Sequence, residues 1–237
     1  MNKMIAVCGS PNSGKTSIAL KLAQEIYYSE QKPVLFVSPD ITTPSMGLLF
    51  PNSKEADLYS MGVALDKTDI YRDDVLKQTV NVKTMPNFAL MGYKLTENEY
   101  SYPKPTEDKV KEFIRAMREI AEYIVVDCTC DKNDLVSTMS MSASDTLIQL
   151  VTPDIKCLTY YSSQTVPIHD NKVLVMNIRD NDLYLPTEDV KSHFKEVKFV
   201  LPYSRPLKQQ GITGSLLKRL SDGKFYAKLL ELAEVVI

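Results

Sequence analysis

The residue types and spacings best suited to chemistry lie near the start of the chain. In Gly9-Ser10-Pro11-Asn12-Ser13-Gly14-Lys15-Thr16, two glycines are separated by four intervening residues and are followed by a lysine and a hydroxyl residue. Glycines let the backbone fold around a phosphate and point its N–H groups inward. Lys15 would place a positive charge against the terminal phosphates, and Thr16 would offer a hydroxyl ligand to magnesium. The pattern predicts a phosphate-binding loop for a nucleoside triphosphate with magnesium.

Two aspartates are candidates for the magnesium shell of such a site. Asp127 ends the apolar run 124–126 and is expected at the carboxyl end of a central strand, near the loop. Asp40 follows another apolar run and could hold a magnesium-bound water or orient the attacking water. Either aspartate could instead simply end a strand or form a turn. The candidate catalytic residues are Lys15 and Asp40, and the candidate metal ligands are Thr16, Asp127 and Asp40.

The elements that must position these residues alternate along the chain. Short apolar runs predict strands over 4–8, 33–37, 87–91, 123–127, 146–151, 172–176 and 197–201. Apolar residues at three- and four-residue spacing predict a helix over 15–28 and another after Thr106, an expected N-cap. Several strands lack polar alternation, which is typical of strands covered by helices on both faces. We predict an α/β fold, a doubly wound and mostly parallel sheet, as a single P-loop domain over 1–237.

Composition and charge exclude several classes of protein. A chain of 237 residues with 44% hydrophobic residues can bury roughly three quarters of its unfolded surface. Its net charge of -2 provides no global attraction to nucleic acid or anionic lipid, so a nucleic-acid partner is not expected. The first apolar run is too short for a signal peptide, and no run approaches the ~20 residues of a membrane span. We predict a cytoplasmic protein and leave open its recruitment to the membrane or the cell pole.

Other side chains are assigned structural or surface roles. The cysteines lack zinc-ligand spacing and are predicted to be reduced structural thiols: Cys8, Cys128, Cys130 and Cys157. His169 and His193 have no carboxylate or cysteine partners at a spacing typical of a metal site and are predicted to lie on the surface. The segment 203–208 is predicted to be a solvated loop. The amphipathic segment 223–237 is predicted to be a helix that docks on the domain's own core, and peripheral membrane contact stays an alternative.

The ordered set of motifs resembles the MinD/ParA family of deviant-loop ATPases over roughly residues 1–214. The resemblance is carried by the phosphate loop and by Ser38-Pro39-Asp40, 122–127, 144–146, Thr152-Pro153, 175–179 and 201–204. It implies ATP and Mg²⁺ as ligands, with Asn177 bonded to the adenine ring and Pro202 packed near it. The implied nucleotide-binding residues are Gly9, Ser10, Pro11, Asn12, Ser13, Gly14, Lys15, Thr16, Ser17, Asn177 and Pro202.

Within that family the chain looks most like CpaE/TadZ-type proteins, which help localise pilus and secretion assemblies. Two positions depart from the family pattern. Ser10 stands where the family has a signature lysine, and Ser38 stands where it has a first switch aspartate. These departures imply slow or lost hydrolysis with nucleotide binding intact. The resemblance implies an ATP-dependent homodimer that acts as a switch with the protein partners of a larger assembly.

Two other functions stay open from the sequence. A P-loop small-molecule kinase or an ATP-dependent ligase would need acceptor-binding groups, such as a cluster of Arg and His over the phosphates, and the sequence shows none. A DNA-partitioning ATPase would need a basic surface stripe, which the net charge of -2 disfavours.

Overall fold

An eight-stranded sheet passes through the middle of the structure. The computed structural model describes residues 2–164, 168–182, 184–194 and 196–237. Within them the strands are β1 Lys3–Gly9, β2 Val34–Ser38, β3 Val80–Asn81, β4 Phe88–Gly92, β5 Tyr123–Asp127, β6 Thr146–Val151, β7 Lys172–Asn177 and β8 Val197–Leu201. Their order is β3-β4-β2-β5-β1-β6-β7-β8, and all neighbours are parallel except β3 with β4. The predicted doubly wound, mostly parallel sheet is confirmed.

Helices cover both faces of this sheet. They are α1 Lys15–Glu30, α2 Met46–Leu49, α3 Met61–Leu65, α4 Arg72–Leu76, α5 Glu107–Ile120, α6 Leu135–Ala143, α7 Ile155–Ser163, α8 Thr187–Phe194, α9 Arg205–Ile212 and α10 Gly223–Val236, with a 3-10 turn at Glu55–Asp57. Ile5 and Val7 of β1 belong to the core under α1 and α10, whereas Met4 and Ala6 belong to the core under α3, α5 and α6. Central strands therefore need apolar residues at every position, which explains their lack of alternation.

The strand register brings the ends of distant segments together. Val7 of β1 pairs with Asp127 of β5, and Gly9 pairs with Leu150 of β6. β1 therefore lies between β5 and β6, at the point where the chain crosses from one half of the sheet to the other. Open α/β sheets bind ligands in the crevice at the carboxyl ends of the strands at such a switch point.

The predicted elements agree with the structure, but the list was incomplete. Each predicted strand is present with its ends within one residue, and Thr106 caps α5 by accepting a hydrogen bond from the Lys109 N–H at 3.4 Å. Helices α2, α3 and α4 were not predicted, since four or five residues are too few to show a helical period. Helices α6 to α9, of eight or nine residues each, were also missed.

The segment 203–208 was wrongly predicted to be a loop. Ser204 caps α9, its hydroxyl accepting a hydrogen bond from the Leu207 N–H at 3.2 Å, and Pro206 lies in the first turn. Serine at the N-cap followed by proline is a helix-start signal that could have predicted this element. Lys208 on α9 forms an ion pair with Asp180 at 3.0 Å, so this cation is engaged on the surface.

The terminal helix α10 docks on the core, as predicted. Phe225, Leu229, Leu232 and Val236 are each at most 2% exposed and belong to the same core as α1. This burial leaves their apolar face no room for a lipid surface. No helix among the described residues combines the length and apolar character needed to cross a membrane.

A buried polar clamp joins α1 to the chain just before α10. The Lys21 ammonium, 1% exposed, donates to the main-chain oxygens of Leu216 and Lys218, both at 2.6 Å, and to Gln24 Oε1 at 3.0 Å. Gln24 in turn donates to the Leu217 oxygen at 2.8 Å. Three successive carbonyl groups are thus satisfied by two residues of α1.

The histidines differ from one another. His193 is exposed, as predicted. His169 was also predicted to lie on the surface; it is half-buried, with Nε2 2.9 Å from the main-chain oxygen of Ser144. Asn171 N–H donates to the other ring nitrogen at 3.1 Å. His169 therefore helps to order the turn that precedes β7.

Candidate nucleotide-binding site

The phosphate-binding loop connects β1 directly to α1. Gly14 has φ of +88°, a left-handed conformation that glycine adopts at low cost. A side chain at Gly9 would place its Cβ 2.5 Å from Ser13 Oγ and 3.0 Å from Leu150 Cβ. The Ser13 N–H donates to the Ser10 oxygen at 3.1 Å and closes the loop. Both glycines are therefore required by the backbone path, as the sequence pattern predicts.

Lys15 opens α1 and folds back along this loop. Its ammonium donates to the Ser10 main-chain oxygen at 3.1 Å and to Cys130 Sγ at 2.9 Å. The unpaired N–H groups at the start of α1 face the same region, and a helix N-terminus attracts anions. The loop, the lysine and the helix end thus supply positive electrostatic potential at one point.

Asp127 lies beside the loop at the carboxyl end of β5. It is 4% exposed, and its Oδ1 has no hydrogen-bond partner among the described residues. Burial raises the pKa of Asp127 to about 6, while the nearby Thr16 hydroxyl and the Lys15 ammonium act in the opposite direction. The carboxylate of Asp40 adds to the rise. An orphaned carboxylate oxygen near the Thr16 hydroxyl fits a hard cation such as Mg²⁺, which prefers oxygen ligands.

Magnesium would depend on the nucleotide for further ligands. No group of three or more His, Cys, Asp or Glu side chains that could hold a metal occurs among the described residues. Mg²⁺ usually keeps several waters and is held by one or two protein groups together with substrate phosphates. Thr16 and Asp127 suit that mode of binding.

Asp40 organises the loop that follows β2. Its Oδ1 accepts hydrogen bonds from the N–H groups of Thr42 and Thr43, each at 2.9 Å, and its Oδ2 accepts from the Thr43 hydroxyl at 2.7 Å. Asp40 and both threonines line the same cavity as Lys15. The predicted catalytic residue thus stands at the site, with its carboxylate engaged by its own turn.

Asn177 ends β7 beneath the phosphate-binding loop. It is 6% exposed, and its Nδ2 donates to the Ser13 main-chain oxygen at 2.9 Å. The same nitrogen would lie 2.7 Å from a Cβ at position 14, a further reason for glycine there. Asn177 therefore tethers the loop, a role that its place in the sequence did not suggest. Pro202 follows β8, is half-buried, and does not contribute to the wall of the cavity described next.

A cavity of about 660 Å³ opens over the loop, within the usual range for small-molecule sites. The residues that line it come from the loop, the segment 39–43, the carboxyl end of β5, and the segments 93–105 and 131–135. A second cavity shares Asn12, Thr16, Asp40 and Arg179 with the first. The shared residues make one continuous depression at the end of the sheet.

Glu97 holds the segment 93–105 in place. This carboxylate accepts hydrogen bonds from the Ser60 hydroxyl at 2.6 Å, the Tyr102 hydroxyl at 2.7 Å and the Lys94 N–H at 2.8 Å. A side chain at Gly62 would overlap the Tyr102 ring. The sequence analysis identified none of these residues.

Ser10, where the resemblance implies a lysine, faces inward. Ser10 is 2% exposed, and its hydroxyl has no hydrogen-bond partner among the described residues. The cations that line the cavity in the described part of the chain are Lys15, Lys104 and Arg179. Lys104 lies between two prolines and Arg179 two residues after Asn177, and sequence reasoning assigned neither to the site.

Cys130 is the cysteine whose placement differs from the prediction. Cys8, Cys128 and Cys157 are buried, in keeping with structural thiols, and all four cysteines are free. Cys130 instead is half-buried, lines the cavity and contacts Lys15. In the sequence, Cys130 follows Asp127, the last residue of a predicted strand, by three residues, and this position could have indicated that it lies at the cavity.

Comparison with known proteins gives a consistent result for the fold. No protein-family model and no curated protein matches the chain. Among solved structures, a ParA family ATPase from Chlorobium tepidum TLS has a TM-score of 0.75 at 14% identity, covering 98% of both chains. The cell division ATPase MinD of Pyrococcus furiosus has a TM-score of 0.73 at 19% identity, covering 100% of this chain and 98% of that one.

A third similar structure contains a nucleotide. The septum site-determining protein MinD of Pyrococcus horikoshii OT3, complexed with Mg-ADP, has a TM-score of 0.72 at 17% identity, covering 100% of this chain and 96% of that one. At such identities the likeness concerns the path of the backbone, and function must be argued from the site. The chain has the P-loop fold of the MinD/ParA ATPases.

Proposed function

We propose that this protein binds ATP with Mg²⁺ and acts as a slowly hydrolysing, dimerising switch that positions a larger assembly. One observation carries the proposal. The phosphate-binding loop, the start of α1 and the orphaned Oδ1 of Asp127 converge on a single cavity at the switch point of the sheet. Positive main-chain and lysine groups beside an unpaired carboxylate suit a triphosphate and its cation.

Each residue has a distinct part in binding. The main-chain N–H groups of residues 9–17, except Pro11, which has none, surround the phosphates, and Lys15 exchanges its contacts with Ser10 and Cys130 for phosphate oxygens. Thr16 and Asp127 hold the magnesium, which neutralises phosphate charge when bound. Asp40 orders the loop 40–43 and orients water near the terminal phosphate. Asn177 tethers the loop through Ser13 and, as the resemblance implies, uses its remaining amide capacity for the adenine, with Pro202 near the base.

Slow hydrolysis follows from the cations at the site. Phosphoryl transfer depends on positive groups that neutralise charge on the transferred group. The signature lysine is replaced by Ser10, whose buried hydroxyl adds no charge. Lys15 and the magnesium ligands remain, so binding survives while the rate falls. A long-lived ATP state suits a positioning switch better than a motor.

The biological role is proposed from the fold and the resemblance together. Two of the similar structures are described as a cell division ATPase and a septum site-determining protein. The likeness to CpaE/TadZ-type proteins narrows the role to the localisation of a pilus or secretion assembly. The protein would then be cytoplasmic, with protein partners that recruit it to the membrane or the cell pole.

Light scattering with ATP, with ADP and without nucleotide tests the switch. We expect a dimer with Mg-ATP alone, because only the terminal phosphate distinguishes the two nucleotides. The Lys15→Ala variant should stay monomeric in all three states, and the exposed Lys224→Ala variant should behave as the parent. A monomer that binds ATP but never changes its mass would favour a small-molecule kinase or ligase. ATP-dependent DNA binding would favour a partitioning ATPase.

A further inference from the structure

A half-buried thiol lies against the lysine of the phosphate-binding loop. Cys130 Sγ accepts a hydrogen bond from Lys15 Nζ at 2.9 Å and donates to the Gly9 main-chain oxygen at 3.2 Å. The side chain also lines the cavity of about 660 Å³. The sulfur therefore stands at the boundary between the loop and the space in front of it.

Independent evidence shows that this space is built for a ligand. Asp127, 4% exposed, lines the same cavity, and its Oδ1 has no partner among the described residues. Buried polar atoms in native proteins are almost always satisfied, so this oxygen marks the place of a bound group. A substituent on Cys130 and that ligand would compete for the same volume.

The other cysteines are poor targets for modification. Cys8, Cys128 and Cys157 are 6%, 0% and 1% exposed. Burial raises the pKa of Cys8 to about 12 and that of Cys128 well above its ordinary value. Thiol exchange needs both access and a thiolate. Cys8 and Cys128 offer neither, and burial denies access to Cys157. Cys128 also lines the cavity but is 0% exposed, so of the four cysteines Cys130 alone combines a half-buried side chain with a hydrogen bond from Lys15.

We propose that Cys130 is a thiol-modification site at which a low-molecular-weight disulfide switches nucleotide binding off. The Cys130 sulfur attacks one sulfur of the disulfide, a new S–S bond forms, and the original S–S bond breaks. The other half leaves as a thiolate and takes up the proton released by Cys130. The disulfide is the only oxidant required. This inference rests on the proposed function, because it regulates the same nucleotide site.

Geometry explains why such an adduct blocks the nucleotide. The second sulfur of the adduct lies about 2 Å from Sγ. Since Sγ is already 2.9 Å from Lys15 Nζ, the added group must fill the space where that ammonium meets phosphate. Conversely, bound triphosphate draws Lys15 toward itself and covers the sulfur. Nucleotide binding and thiolation are therefore mutually exclusive.

Glutathione disulfide is a suitable probe. The reduced protein is treated with it, peptide mass spectrometry locates the adduct, and calorimetry measures ATP affinity. We expect one adduct, on Cys130, an affinity for Mg-ATP at least tenfold weaker, and full recovery with dithiothreitol. Prior addition of Mg-ATP should slow adduct formation. The untreated Cys130→Ala variant should bind ATP and keep its affinity after treatment, whereas Cys157→Ala should respond as the parent.

Two results would overturn the thiol switch at Cys130. One is an adduct on Cys130 with unchanged affinity for ATP, and the other is a folded protein that forms no adduct there. Protection assays that show no effect of Mg-ATP would argue against it equally. Failure of the untreated, reduced protein to bind ATP overturns the proposed function and, with it, the thiol switch at Cys130. If ATP affinity is retained after thiolation, only the thiol switch is overturned.

Discussion

At the scale of single residues, the candidate site holds two ionisable side chains, Lys15 and Asp127, that lack strong partners of their own. The Lys15 ammonium rests on a carbonyl oxygen and a sulfur, which are weak substitutes for phosphate. The Asp127 carboxyl is buried, its Oδ1 has no hydrogen-bond partner among the described residues, and its pKa is raised to about 6. In the proposed function, each group would gain a stronger partner from Mg-ATP.

Lys15→Ala should weaken ATP binding roughly 10- to 150-fold, because a charged hydrogen bond contributes about 1.5–3 kcal/mol. Isothermal calorimetry against the exposed Lys224→Ala control measures the change. GTP serves as a second ligand, since the role of Asn177 implies a preference for ATP. Unchanged affinity in Lys15→Ala would remove the loop from the nucleotide site, and equal affinity for GTP would remove Asn177 from base recognition.

Asp127→Asn should lose the magnesium dependence of ATP binding and yet stabilise the ligand-free protein at pH 7. Burial raises the folded-state pKa of Asp127 from 3.8 to about 6. For a raised pKa, the stabilising contribution is present below the unfolded value and is lost as pH rises through the folded value. The gain of the variant over the parent should therefore grow between about pH 4 and 6, toward about 1–3 kcal/mol.

Thermal and urea unfolding across that pH range, with calorimetry in the presence and absence of Mg²⁺, provide the check. Asp131→Asn, at an exposed aspartate on the same cavity, is the matched control and should keep its magnesium response. A variant that responds to magnesium like the parent would make Asp127 purely structural.

At the scale of elements, α1 connects the nucleotide site to the end of the chain. It begins at the phosphate-binding loop, and Lys21 and Gln24 in its middle hold the carbonyl groups of 216–218. The same helix packs against α10 through the core that Phe225 and Leu229 share. The loop is therefore followed by a helix that is held in place by the hydrogen bonds of Lys21 and Gln24 and by apolar packing against α10.

Lys21→Met should destabilise the fold by about 2–4 kcal/mol. The substitution preserves the apolar stem but leaves the oxygens of Leu216 and Lys218 unsatisfied, at roughly 1–3 kcal/mol each. Urea unfolding measures the loss. The exposed Lys228→Met on α10 removes only a surface ion pair with Glu231 and should change stability by less than about 1 kcal/mol. Equal effects of both substitutions would rule out the clamp.

At the scale of the whole molecule, strand order decides what can act together. β1 lies between β5 and β6, so the loop meets Asp127 and Cys130, although more than 100 residues of the chain separate the loop from both. Residues of the segment 93–105, which Glu97 holds in place, line the same cavity as the loop, Asp127 and Cys130.

Steady-state turnover of the protein alone should lie well below ~1 s⁻¹, the low end of typical enzymes. A cation in the missing role is worth roughly 10³–10⁵ in rate, so Ser10→Lys should accelerate hydrolysis. Because Ser10 is 2% exposed, ATP affinity and thermal unfolding of the variant must be measured alongside. Turnover at or above ~1 s⁻¹ by the unmodified protein would contradict slow switching. If a folded, ATP-binding Ser10→Lys variant hydrolyses ATP no faster than the parent, the absence of a lysine at position 10 is not the cause of slow turnover.

The sequence alone was sufficient for the features whose causes are local. The strand ending at Gly9, the helix starting at Lys15 and the strand ending at Asp127 each follow from adjacent residues, because apolar periodicity and loop glycines act over a few positions. The fold class followed from the alternation of such elements, and its prediction was correct.

Tertiary structure alone decided which distant residues share a surface. Cys130 meets Lys15 across 115 positions, Asn177 meets Ser13 across 164, and Lys21 meets Leu216 across 195. None of these pairs produces a local period or a spacing motif. They depend on strand order and on which helix covers which face, and these are settled by the joint packing of the whole sheet.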